Sequence, residues 1–116
     1  MPLIRVLTSA STPEPAAADV LLKKLSKELA SQLGKSESYV MAALEPQAQI
    51  TFGGDSTPAC LIEIKSIGQM TPAQTTAMSQ AFCKHIETGL DVPQDRTYIE
   101  FVDVRRPMWG WNGQTF

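Results

Sequence analysis

The chain has 116 residues, of which 43% are hydrophobic and 19% charged, with a formal net charge of −2 at pH 7. That length fits one domain, residues 1–116, with a core of its own. The charge excludes the basic face of a nucleic-acid binder, and no run approaches the ~20 apolar residues needed to span a bilayer.

The opening run Pro2-Leu3-Ile4-Arg5-Val6-Leu7-Thr8 is apolar and β-rich and predicts a strand. Pro2 follows Met1, and a small second residue is the usual condition for removing the initiator methionine. Removal leaves a proline whose nitrogen is a free secondary amine. Burial and a nearby cation both disfavour its charged form. A base half neutral near working pH suits general acid–base catalysis. The plainer alternative is that Pro2 only starts an edge strand, where its missing N–H is tolerated.

Thr12 followed by Pro13 predicts a capped helix start. Leu22, Leu25, Leu29 and Leu33 form an apolar stripe of helical period, and Gly34 predicts the stop. A strand is expected from Tyr39 through Leu44, and Gly53-Gly54-Asp55 marks a turn. Ala59-Cys60-Leu61-Ile62-Glu63-Ile64 is nearly all apolar and predicts a central strand. Thr71-Pro72-Ala73-Gln74 fits a capping box. It opens a second helix with Met78, Phe82, Ile86 and Leu90 inward, ended by Gly89 and Pro93. His85 falls beside that stripe and is expected to be a partly exposed helix residue. Tyr98–Val104 predicts the last strand. The tail beyond it carries Trp109, Trp111 and Phe116, expected to pack on a neighbouring subunit or line a pocket rather than to pack locally.

The two halves repeat each other at one offset: Leu3 with Ile62, Thr12 with Thr71, Tyr39 with Tyr98. Each half reads strand, helix, strand. The fold class is α+β, a tandem β-α-β repeat with a four-stranded mixed sheet and both helices on one face. So small a domain has no further layer for the other sheet face, and oligomerisation is its natural cover.

Cys60 and Cys83 lie apart in apolar surroundings and read as buried thiols of a reducing, cytoplasmic compartment. The start of the chain has no basic segment followed by an apolar one. His85 is the only histidine, so neither a metal-ligand cluster nor a Ser/His/Asp constellation is indicated, and no cofactor is expected.

Five features coincide: Pro2 after Met1, Gly34-Lys35, Phe52-Gly53-Gly54, Ser66-Ile67-Gly68, and Gly110-Trp111-Asn112 with Thr115-Phe116. Together they resemble, end to end, the macrophage migration inhibitory factor family of the tautomerase superfamily. The resemblance implies a homotrimer with active sites at the subunit interfaces. It implies keto–enol isomerisation of small aromatic 2-oxo acids such as phenylpyruvate, or of dopachrome derivatives, without a cofactor. By position Pro2 is then the base, and Lys35 depresses its pKa and holds a substrate oxygen. The backbone N–H of Ile67 binds substrate oxygen, and Tyr98 comes from the adjacent subunit. Phe116 is a candidate pocket-lining residue. Members of the family also appear outside cells without a signal peptide, by non-classical release.

The chain departs from the family at several positions. Glu100 stands where animal members have asparagine at the pocket mouth, and Trp109 where they have a small aliphatic residue. The Cys-x-x-Cys motif is missing, since Cys60 is displaced by one residue and lacks its partner, so no thiol–protein oxidoreductase activity is expected. The charged pair of the animal protein's signalling surface falls near Thr12 and Gln47, both uncharged. A cytokine-like or interaction trimer that kept the fold and lost the chemistry is the alternative function.

Overall fold

Residues that alternate in the sequence between apolar and mixed character alternate in burial in the structure. A computed structural model describes residues 1–116. Strand β1 (Pro2–Thr8) buries Pro2, Ile4, Val6 and Thr8 and leaves the residues between them half-buried. Strand β3 (Cys60–Ile67) does the same with Cys60, Ile62, Ile64 and Ser66. Strands β2 (Met41–Glu45) and β4 (Thr97–Val104) complete a four-stranded sheet in the order β2-β1-β3-β4. β1 and β3 run antiparallel in the centre, and each pairs in parallel with the strand that follows its own helix. The sheet is therefore mixed, and both β1 and β3 are central. Pro2 consequently does not start an edge strand. As the first residue of β1 it still needs no ladder N–H.

Helices α1 (Pro15–Leu33) and α2 (Pro72–Leu90) close one face of the sheet. Leu21, Leu25 and Leu29 of α1 meet Met78, Phe82 and Ile86 of α2 over Ile4, Val6, Ile62 and Ile64. The buried stripe of α1 therefore runs through Leu21, and Leu22 is only half-buried. Gly89 lies within α2, not at its end. A Cβ there would meet Leu21 Cδ1 at 2.9 Å, so glycine permits the close approach of the two helices. The chain leaves α2 at Asp91, which has a left-handed φ of 57°.

Thr71 caps α2 as expected. Its hydroxyl accepts from Gln74 N at 3.1 Å, and the Gln74 side chain accepts from Thr71 N at 2.9 Å. Thr12 does not cap α1. The helix begins at Pro15 after Glu14, which has no side-chain cap bond. A proline disfavours helical backbone in the residue before it. Pro15 therefore holds Glu14 extended, and the helix cannot start at Pro13. The Thr12 hydroxyl instead donates to Gln47 Oε1 at 2.9 Å. The repeat thus aligns Pro15 with Pro72 and Leu33 with Leu90. Gly34 ends α1 in the left-handed region as expected, with φ 63°. Tyr39 falls in a 3-10 turn (Glu37–Tyr39) and not in the strand that begins at Met41.

The other face of the sheet has no helix. Arg5 on this face makes a two-pronged contact with Glu45 and a third bond to Glu63. After β4 comes a 3-10 turn (Arg106–Met108) and a small hairpin of β5 (Gly110–Trp111) and β6 (Gln114–Thr115). The tail aromatics pack locally in part: Trp111 stacks on Phe116 at 6.0 Å and meets Tyr39 edge-on at 5.9 Å.

Candidate active site

The start of β1 and the end of β3 lie side by side, with Pro2 opposite Ser66 in the antiparallel register. The turn at Gly34 brings Lys35 to the same place. Its ammonium donates to Ser66 Oγ at 2.7 Å and to the Ile67 carbonyl at 2.6 Å. Ser66 is 2% exposed, so its hydroxyl is a buried acceptor for that ammonium. Beside this cluster is a cavity of about 590 Å³ lined by Met1, Lys35, Ser36, Tyr39, Ile67, Gly68, Arg106 and Phe116. One wall is cationic and another aromatic, and none of these residues is acidic.

The electrostatics favour a neutral amine here. Burial lowers the pKa of the Met1 α-amino group from its usual 8.0, and the Lys35 cation lowers it further. Burial likewise lowers the Lys35 ammonium from 10.5, with Arg106 adding to the effect. With Met1 attached, the Pro2 nitrogen is an amide without a basic lone pair.

Of the residues singled out in the sequence, Lys35, Ile67 and Phe116 line this cavity, and Pro2 lies buried behind Met1, paired with Ser66. Tyr98, Glu100 and Trp109 do not line it. Tyr98 lies five residues back along β4 from Asp103, the residue level with Ser66, which is roughly 17 Å at strand spacing. It is 66% exposed and rests on Phe52, with ring centroids 4.7 Å apart. Arg96 holds that loop by donating to the carbonyls of Phe52, Asp55, Thr57 and Pro58. Glu100 and Trp109 line a second cavity on the open sheet face with Leu3 and Lys65. Sequence reading assigned no site role to Ser66, Tyr39 or Arg106. The adjacent Arg105-Arg106 before the aromatic tail was the available signal for the last.

A larger cavity, about 830 Å³, lies elsewhere, between α1 and α2 around Ala16, Val20 and Leu21. Its histidine, His85, is half-buried as expected and is bonded to Glu28 at 3.0 Å. The lining mixes Ala16, Ala17, Val20, Leu21 and Ala81 with Lys24, Glu28 and Lys84, and the His85 ring is held by Glu28. No group of three His, Cys, Asp or Glu side chains is placed to hold a metal ion. Cys60 and Cys83 are free and buried, and burial pushes the Cys60 thiol up to about 12, far from a reactive thiolate. No helix is long and apolar enough to cross a membrane.

The comparisons with known proteins agree with this architecture. The family model described as macrophage migration inhibitory factor matches residues 1–116. A macrophage migration inhibitory factor homolog of Trichuris trichiura is 38% identical over 108 residues, covering 93% of this chain and 95% of its own. The crystal structure of the homologue from Prochlorococcus marinus superposes with a TM-score of 0.91 at 46% identity, covering 98% of each chain. The Toxoplasma gondii protein superposes with a TM-score of 0.92 at 33% identity, covering 98% of this chain and 99% of its own. The chain belongs to the macrophage migration inhibitory factor family, whose fold is that of the tautomerases.

Proposed function

We propose that the protein is a tautomerase for phenylpyruvate-like aromatic 2-oxo acids, with dopachrome derivatives as a related class. The observation that carries this reading is that Lys35 and Ile67 line one cavity with an aromatic wall, while Lys35 bonds Ser66, the residue paired with Pro2 just behind Met1. Removal of Met1 would turn the Pro2 nitrogen into a secondary amine beside the Lys35 cation. Pro2 is fully buried, and burial already lowers the less enclosed amine of Met1. The same two causes would lower the pKa of a proline amine toward neutrality.

In this mechanism the Pro2 nitrogen takes a proton from the carbon next to the ketone. The electron pair moves onto the 2-oxo oxygen as an enolate. The Lys35 ammonium stabilises that developing charge, assisted by the backbone N–H of Ile67. The prolinium then returns its proton to the enolate oxygen, and the enol leaves. One proton moves and no electron is lost or gained, so the residues named suffice.

The assembly in this reading is a homotrimer with sites between subunits. Tyr98, too far from its own chain's cavity and well exposed, supports a role in a neighbour's site. Two free cysteines support a reducing, cytoplasmic location, with non-classical release as a further route. The second reading, a cytokine-like or interaction trimer with weak or no catalysis, is favoured by Glu100 and Trp109, which depart from the family pattern. Pro2→Gly separates the two. A tautomerase loses most phenylpyruvate turnover while the fold and trimer persist. An unchanged turnover would overturn the role of Pro2.

A further inference from the structure

Lys35 has three N–H donors. Two of them are already committed, to Ser66 Oγ and the Ile67 carbonyl. One donor remains for a substrate, enough for a single oxygen but not for both oxygens of a carboxylate. A 2-oxo acid presents three oxygens at one end, so a donor beyond Lys35 and the Ile67 N–H is needed to hold it in one orientation.

Arg106 meets that need. It lines the same cavity as Lys35 and Phe116. It begins the 3-10 turn that leads into the aromatic hairpin, and its carbonyl accepts from Trp109 N at 3.2 Å, which fixes its backbone. Its guanidinium makes no hydrogen bond or ion pair within the chain. Arg5 and Arg96 differ, with their forks filled by carboxylates and main-chain carbonyls. A planar guanidinium matches a carboxylate in two parallel bonds, whereas an ammonium acts as a point charge.

We infer that Arg106 is the carboxylate anchor of the pocket, gripping both carboxylate oxygens while Lys35 is left for the 2-oxo oxygen. The inference deepens the tautomerase reading and rests on it. It fixes the substrate class as free 2-oxo acids in anionic form, with the aromatic ring toward Tyr39 and Phe116. Esters and amides of the same acids lack the charge that the fork holds and are poor ligands. This arrangement also assigns the catalytic burden: Arg106 binds ground state and transition state alike, whereas Lys35 meets charge that develops on the oxygen.

The test compares wild type with Arg106→Gln and Arg106→Lys in the full-length protein, its N-terminus checked by intact mass. Binding of 3-phenylpropanoate and of its methyl ester is measured by calorimetry, and phenylpyruvate kinetics are measured in parallel. Arg106→Gln is expected to weaken acid binding by about 10- to 100-fold, the range for a lost charge-assisted contact, and to leave the ester unchanged. Arg106→Lys restores part of the loss. KM for phenylpyruvate rises with kcat within about threefold, as expected for uniform binding. Equal acid binding by wild type and Arg106→Gln overturns the inference, and so does equal loss of acid and ester. No turnover by processed wild type, with the acid-over-ester preference intact, overturns the tautomerase reading and supports the anchor.

Discussion

The Lys35 ammonium donates to the main-chain carbonyl of Ile67 at 2.6 Å, tying the end of the first helix to the end of the third strand. The bond holds a partly buried cation beside the N-terminus of the central strand β1. The lysine is thereby a brace for the local fold as well as a charge in the cavity. Lys35→Met keeps the aliphatic stem and removes both hydrogen bonds. It is expected to lower stability by about 1 kcal/mol, the net worth of such bonds, measured by urea unfolding. It is expected to lower kcat/KM for phenylpyruvate by about 100-fold or more, the usual effect of losing one oxyanion donor. Its pH profile separates charge from bracing. The Lys35 cation lowers the neighbouring amine, so its removal moves the acid limb of the rate profile to higher pH.

The two threonines expected to cap helices make a paired test of the fold. Thr71 makes both bonds of a capping box, whereas Thr12 bonds only to Gln47. Thr71→Ala should destabilise by about 1 kcal/mol and Thr12→Ala by a few tenths at most. Chemical denaturation of both variants measures the contrast. Equal effects would mean that α1 begins earlier than Pro15.

Cys60 gives a signature at alkaline pH. Its thiol titrates at about 12 in the fold against 9.0 for an ordinary thiol, because burial disfavours the thiolate. Between those values the unfolded chain has lost a proton that the folded chain keeps. Stability therefore falls as pH rises through that window, while the contribution is fully present below it. Melting temperature should decline from pH 9 upward, with a shallower slope in Cys60→Ala.

Glu100 tests where β4 acts. In its own chain it lies in the second cavity with Lys65 and Trp109, away from Lys35. If a neighbour's site receives it, its carboxylate opposes an anionic substrate. Glu100→Gln is then expected to lower KM for phenylpyruvate a few-fold without changing the fold, measured by steady-state kinetics. An unchanged KM would mean that Glu100 faces solvent or stays with Lys65.

Much of this architecture is written in local patterns. The apolar, β-rich runs Pro2–Thr8 and Ala59–Ile64 encode the two inner strands, and the Thr71–Gln74 spacing encodes a cap whose two bonds form as expected. The start of α1 was misread because Thr12-Pro13 matches the same capping pattern, while Pro15 decides the matter by its effect on Glu14. The place of Tyr39 was misread because a tyrosine before an apolar run resembles a strand start, and only the 3-10 turn shows otherwise. At the site, Lys35 and Ile67 were legible through the family motifs around them. Ser66 was not, because its importance comes from facing Pro2 across a ladder between residues far apart in sequence. Arg106 was hidden for a similar reason: its approach to Lys35 depends on how the tail folds back after β4.

The most direct measurement compares phenylpyruvate tautomerisation by two forms of the same protein, one with Met1 removed and one with Met1 retained, both verified by intact mass. The account predicts rapid turnover by the processed form and almost none by the form whose Pro2 nitrogen is an amide. Equal turnover by both forms, or none from the processed trimer, would contradict it.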